Sequence, residues 1–264
     1  MFSCRSSVPR AGDPPAAQPA ASNSRAAAAS EGELVVFAAS SLREAFSELG
    51  AAFERSHAGV EVTLNFAGTQ ELRTQLEHGA AADIFASADQ QQMAELVHEQ
   101  RVTEPTIFAR NEPVMVVAVE QRARLRTFAD LANTQHLVIG TPEVPIGRYT
   151  LQILDNASRK LGADFRRRVE AAVVSRELNV KQVLAKVTLG EADAAIVYRS
   201  DVTAATSKLG VVTIPADLNV IAQYPLAIVR GAPHAHLAAD WVAFVLSSAG
   251  RTALEHAGFL APSE

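Results

Sequence analysis

Ser40 and Ser41, Gly68 and Thr69, Ile146 and Gly147, Asn179 and Val180, and Tyr198 are the residues whose types and placement could do chemistry. The first four pairs each stand where a strand-like run gives way to a helix-like one, and Tyr198 ends a strand. The first turn of a helix has unpaired N–H groups and a partial positive charge, so it attracts an anion without needing a cation. Several such termini, joined by the hydroxyls of Ser41, Thr69 and Tyr198, could surround a tetrahedral dianion with donors. Each residue also has a plainer use. Ser, Thr and Asn are common helix caps, and Ser41-x-x-Glu44 matches a capping box. Tyr198 could be a half-buried strand tyrosine with its hydroxyl at water. The residues alone leave both uses open.

The neighbouring charged residues are expected to do something else. A helix turns about 100° per residue, so Arg148 and Lys181, next to the junction residues, should point away into solvent. Asp83 and Asp89 flank a strand and are expected to be turn or hinge groups. No Gly-x-Ser-x-Gly elbow, Walker-type loop or Gly-x-Gly-x-x-Gly fingerprint occurs, nor a His–Asp–Ser or paired-carboxylate arrangement, so an enzyme is not expected. The single cysteine, Cys4, excludes an internal disulfide and a cysteine-based metal cluster. His234 and His236 are expected to be a solvated pair. No metal centre or cofactor is therefore expected. A net charge of −5 argues against a nucleic-acid partner, and no apolar run is long enough to span a membrane.

The elements that must position these residues follow from periodicity. Leu34–Ala39, Val60–Phe66 and Ala82–Ala86 read as strands, each followed by a helix: one with Leu42, Ala45, Phe46, Leu49 and Phe53 on one face, one carrying Leu72 and Leu76, and one from Gln90 to Glu99. The apolar strand Val114–Val119 opens a second set. It continues with a helix near Phe128–Leu131, strand His136–Ile139, helix Ile146–Leu161, strand Val173–Val174, helix Val180–Leu189 and strand Ala194–Tyr198. Tyr224–Val229 reads as a late strand, followed by helices Leu237–Ser247 and Gly250–Gly258. Two βα sets imply an α/β protein of two lobes, each a mixed, mostly parallel sheet flanked by helices, with a ligand cleft between them. Residues 33–112 and 224–264 are assigned to lobe I, and 113–223 to lobe II. Residues 1–32 are rich in Ala, Ser and Pro and are expected to form a disordered tether or signal remnant. Met1-Phe2-Ser3-Cys4 has two interpretations: the start of a floppy tail, or the end of a lipoprotein signal with Cys4 as the lipidated residue.

Phe37-Ala38-Ala39-Ser40-Ser41-Leu42 resembles the first motif of the periplasmic molybdate-binding proteins. Phe66-Ala67-Gly68-Thr69 and the run Gly79–Asp89 match next, followed by Gly140–Tyr149, Asn179-Val180-Lys181 and Gly190–Asp201. Tyr224-Pro225 and Ala257-Gly258-Phe259 also fall where that family has them. The resemblance spans about Glu33 to Phe259 and implies the two-lobed, type II periplasmic-binding-protein fold. It also implies a role as the binding component of an ABC importer, monomeric, periplasmic or at the cell surface, delivering molybdate or tungstate to a membrane permease. Carried over by position, the resemblance makes Ser41 and Thr69 hydroxyl donors and Ile146 and Val180 backbone N–H donors, with the Tyr198 phenol donating across the cleft. Two positions depart from the family pattern. Thr69 stands where serine is usual and is followed by Gln70 rather than a second serine, and Ile146 replaces a smaller residue.

Overall fold

Two five-stranded sheets organise the computed structural model, which describes residues 1, 32–202 and 209–262. Cys4 and nearly all of the expected tether lie outside the described residues. The first sheet begins with β1 (Gly32–Ala39), β2 (Val60–Ala67) and β3 (Ile84–Ala86), interleaved with α1 (Arg43–Ser56), α2 (Thr69–Glu77) and α3 (Gln90–His98). β4 (Thr106–Asn111) runs directly into β5 (Pro113–Ala118), the entry strand of the second sheet. There follow β6 (Leu137–Gly140), α4 (Pro145–Leu161), α5 (Phe165–Ala171), β7 (Val173–Glu177) and α6 (Val180–Thr188). β8 (Ala194–Tyr198), α7 (Arg199–Val202) and β9 (Leu209–Thr213) complete that set. β10 (Ala222–Ile228) returns to the first sheet, and α8 (Ala235–Leu246) and α9 (Ser248–His256) end the fold.

The strand orders are β2-β1-β3-β10-β4 and β7-β6-β8-β5-β9. In each sheet the first three strands are parallel, and the last two add antiparallel pairs. The sheets are therefore mixed, with a larger antiparallel share than the strand runs implied. The difference arises at β5 and β10, which arrive from the other sheet and enter against the parallel strands. A short 3-10 helix, Phe128–Asn133, stands where a helix was expected; Asp130 accepts the Thr127 N–H at its start.

α1 forms because Ala45, Phe46, Leu49, Gly50 and Phe53 recur on one face, and that face is buried. Phe46 and Phe53 meet the fully buried Trp241 of α8 edge-on, at centroid distances of 5.6 and 5.4 Å. The chain's last helices thereby lock onto its first. Asp83 strengthens the same junction. Its buried carboxylate accepts the N–H of Val35 in β1 and of His234 just before α8, both within 2.9 Å. His234 is half-exposed and its ring faces Asp83, while His236 is exposed, so the two are not equivalent members of the solvated pair expected from the sequence.

Candidate functional site

The ends of β1, β2, β6 and β8 and the starts of α2, α4 and α6 converge between the two sheets. They border a small pocket lined by Ser40, Ser41, Gly68, Thr69, Ile146, Val180 and Tyr198, with Ala39, Ala88, Val144, Pro145 and Asn179 between them. All five residues nominated from the sequence as ligand contacts border this one pocket, and each is at most 3% exposed. No lining residue has a charged side chain.

The helix starts are open. The chain turns through a 3-10 segment, Ser40–Leu42, so α1 begins only at Arg43 and its N-cap position, Leu42, has no side chain to cap with. Ser41 is thus out of register for the capping box that its sequence matched. α2 starts at Gly68, which also lacks a capping side chain, while Glu71 reaches back to the Gly68 N–H at 2.8 Å. α4 starts at Val144 and Pro145, again without a side-chain cap. At α6, Asn179 accepts the Gln182 N–H, three residues on. Its side chain thus leaves the first-turn N–H of Val180 to the pocket. Two glycines permit this convergence. A Cβ on Gly147 would fall 2.0 Å from the Thr141 carbonyl oxygen, and one on Gly68 would fall 2.4 Å from that of Leu178. Only glycine lets α4 sit against the end of β6 and lets the Gly68 turn meet the facing loop.

The Thr69 and Tyr198 hydroxyls keep protons to donate. Thr69 Oγ1 accepts the Ala88 N–H at 3.2 Å, so its own proton remains to be donated. Tyr198 is 1% exposed, which overturns the alternative of a hydroxyl at water. Its Oη finds no hydrogen-bond partner of proper geometry among the described residues. Burial pushes the Tyr198 and Tyr224 phenols well above their ordinary pKa, so both stay neutral donors. A ring of donors backed by helix dipoles can hold an anion, and has no carboxylate with which to hold a protonated one.

The charged neighbours face away from the pocket, as the helix rotation implied, but they are not solvated as expected. Arg148 pairs with Asp89, whose other carboxylate oxygen caps α3 at the Gln92 N–H. Lys181 bridges Glu44 at 2.6 Å and Asp201 at 3.1 Å. Arg148–Asp89 and Lys181–Glu44 each join a residue from the second set of elements to one from the first, whereas Asp201 shares the second set with Lys181. Gln70 adds a further tie, donating to the Leu178 carbonyl at 2.8 Å, and Gln92 donates to that of Glu143 at 3.2 Å. Arg148 and Lys181 are thus each matched by a carboxylate, and the field inside the pocket comes chiefly from N–H and O–H dipoles.

Asp201 lies directly behind Tyr198 and accepts its N–H at 3.2 Å. Burial pushes its carboxyl up to about 6, partly opposed by Lys181. A carboxyl whose folded pKa exceeds its unfolded value makes the ionised fold less stable, and this cost is relieved as pH falls through the folded pKa. Wild type should therefore gain up to about 3 kcal/mol relative to Asp201→Asn as pH drops from 7 to 4. Urea melts of both proteins across that range test this. A stability difference independent of pH would show that Asp201 titrates normally.

The sequence did not single out Asn111, and it offered Tyr224 only as part of a motif. Tyr224 Oη lies 2.9 Å from Ser41 Oγ, and Asn111 Nδ2 donates to Tyr224 Oη at 3.4 Å. Both side chains are fully buried. A polar Asn between strand runs was a possible signal, but its partners are too distant in sequence to be inferred.

Residues 34–260 match the family of bacterial extracellular solute-binding proteins, and the chain belongs to that family. Within it, the chain is 39% identical over 231 residues to the molybdate-binding protein ModA of Mycobacterium tuberculosis, covering 87% of this chain and 85% of that protein. The fold is shared with the periplasmic molybdate-binding protein of Azotobacter vinelandii (TM-score 0.76, 18% identity, 87% of this chain and 100% of that one). It is also shared with the sulfate-binding protein SubI of Mycobacterium tuberculosis (TM-score 0.78, 18% identity, 86% of each chain). The family is one of solute-binding proteins, not enzymes.

Proposed function

We propose that this protein binds molybdate, and tungstate with it, outside the cytoplasmic membrane and delivers it to the permease of an ABC importer. The supporting observation is the charge-free pocket, where hydroxyls with free protons meet helix starts without side-chain caps on their facing N–H groups. Ser41, Thr69 and Tyr198 donate O–H groups to the oxyanion, and Ile146 and Val180 donate N–H groups. The similarity to ModA supports molybdate over other oxyanions.

Size and protonation provide the discrimination. Sulfate has the same shape and charge but shorter bonds to oxygen, so donors set for the larger ion fit it poorly. Hydrogen phosphate carries a proton that a carboxylate would accept best, and no carboxylate lines this pocket. Molybdate and tungstate are nearly the same size and should not be separated. Lobe I (residues 33–112 and 224–264) and lobe II (113–223) close about the ligand, and the monomer then docks on the permease. The cross-cleft pairs Arg148–Asp89 and Lys181–Glu44 hold the closed form.

Isothermal titration of the full chain, freed of carried-over ligand, with molybdate, tungstate, sulfate and phosphate tests this proposal. Tight binding of the first two and weak or no binding of the others is expected. Sulfate binding as tight as molybdate would make this a general dianion receptor, and no binding of any of the four would end the oxyanion proposal.

A further inference from the structure

We propose that Asn111 and Tyr224 are positioning residues that fix the direction of the Ser41 hydroxyl, making it a donor to the ligand; this rests on the oxyanion proposal above. Either hydroxyl of the Ser41–Tyr224 pair could donate on distance alone, and the neighbouring amide favours one direction. Asn111 Oδ1 accepts the Glu112 N–H at 3.0 Å, which settles the amide's orientation. Its Nδ2 therefore faces Ser200 Oγ at 2.8 Å and Tyr224 Oη at 3.4 Å, as a donor to both. With one lone pair of Tyr224 Oη engaged, its own proton is free for Ser41 Oγ, 2.9 Å away. A phenol is also the more acidic partner of the two, which favours donation in that direction. Ser41 Oγ then accepts from behind and can give its proton only into the pocket. The opposite arrangement would turn a lone pair of Ser41 toward the anion and repel it.

The relay starts where the chain crosses between sheets. Asn111 is the last residue of β4, Ser200 belongs to α7 directly after β8, and Tyr224 sits at the irregularity where β10 meets β4. The groups that join the lobes thereby set the polarity of a ligand contact in the turn after β1.

A double-mutant cycle tests the relay, with molybdate as the probe. Tyr224→Phe keeps the ring and removes the hydroxyl; it should weaken molybdate binding about tenfold in the wild-type background. In a Ser41→Ala background it should change binding by less than about twofold, because the group it acts through is gone. A purely structural role for Tyr224 gives equal losses in both backgrounds and overturns the relay, as does unchanged binding by a folded Tyr224→Phe. If Tyr224→Phe fails to fold, Asn111→Asp replaces it in the same cycle. Its carboxylate would accept from Tyr224 and reverse the chain, so its cost should likewise shrink when Ser41 is absent. Wild type that binds no molybdate would overturn the oxyanion proposal and the relay with it, whereas wild-type binding with an additive cycle would overturn the relay alone.

Discussion

Tyr198→Phe is expected to weaken molybdate binding by about 1–3 kcal/mol, roughly five- to a hundredfold in Kd, while leaving the ligand-free protein as stable as wild type or more so. The two effects have one cause. The Tyr198 hydroxyl makes no hydrogen bond of proper geometry among the described residues, so its removal takes no well-formed internal bond from the fold. With the oxyanion present, the same hydroxyl becomes a donor to a charged acceptor, the stronger class of hydrogen bond. Titration calorimetry and a thermal melt on one preparation separate the outcomes. Lost affinity with undiminished stability marks a group retained for the ligand. Unchanged affinity removes Tyr198 from the site, and a large stability loss means that its hydroxyl is satisfied within the fold.

Val180→Pro should have a comparable effect through the backbone. Val180 is the first residue of α6, where a helix has no internal partner for the N–H and proline is well tolerated. Asn179 before it is extended, at φ −159° and ψ 163°, the conformation that a following proline requires. The substitution therefore removes one N–H while leaving the helix in place. A loss of about 1.5–3 kcal/mol in binding is expected, the scale for a hydrogen bond to a charged group. Val180→Ala is the control: it trims the same buried side chain but keeps the N–H, and should bind molybdate within about threefold of wild type. If the alanine variant loses as much as the proline variant, packing of α6 matters and the Val180 N–H does not.

The strand-to-helix junctions were legible in the sequence because both hydrophobic periods are short-range signals, and the helix starts fell within a residue or two of where the patterns change. Ser41 shows where local pattern misleads. Its match to a capping box was genuine, but the 3-10 turn at Ser40–Leu42 moved the helix start to Arg43. The Ser41 hydroxyl instead meets Tyr224, 183 residues away. Arg148 and Lys181 were turned from the pocket correctly by helix geometry, yet their carboxylate partners sit on the opposing elements and no spacing rule could name them. β4 and β9 escaped notice for a related reason. They are edge strands, half covered, and their apolar runs are short. Missing them hid much of the antiparallel share of both sheets, and with β4 went the position of Asn111.

Crystals of the full chain grown with molybdate, measured with X-rays at the molybdenum absorption edge, would place the metal directly. The expected result is a single anomalous peak between the sheets, its oxygens within hydrogen-bond distance of Ser41 Oγ, Thr69 Oγ1, Tyr198 Oη and the N–H groups of Ile146 and Val180. A peak outside that pocket, or an oxyanion held by Arg148 or Lys181 instead of the hydroxyls and helix starts, would contradict the charge-free site.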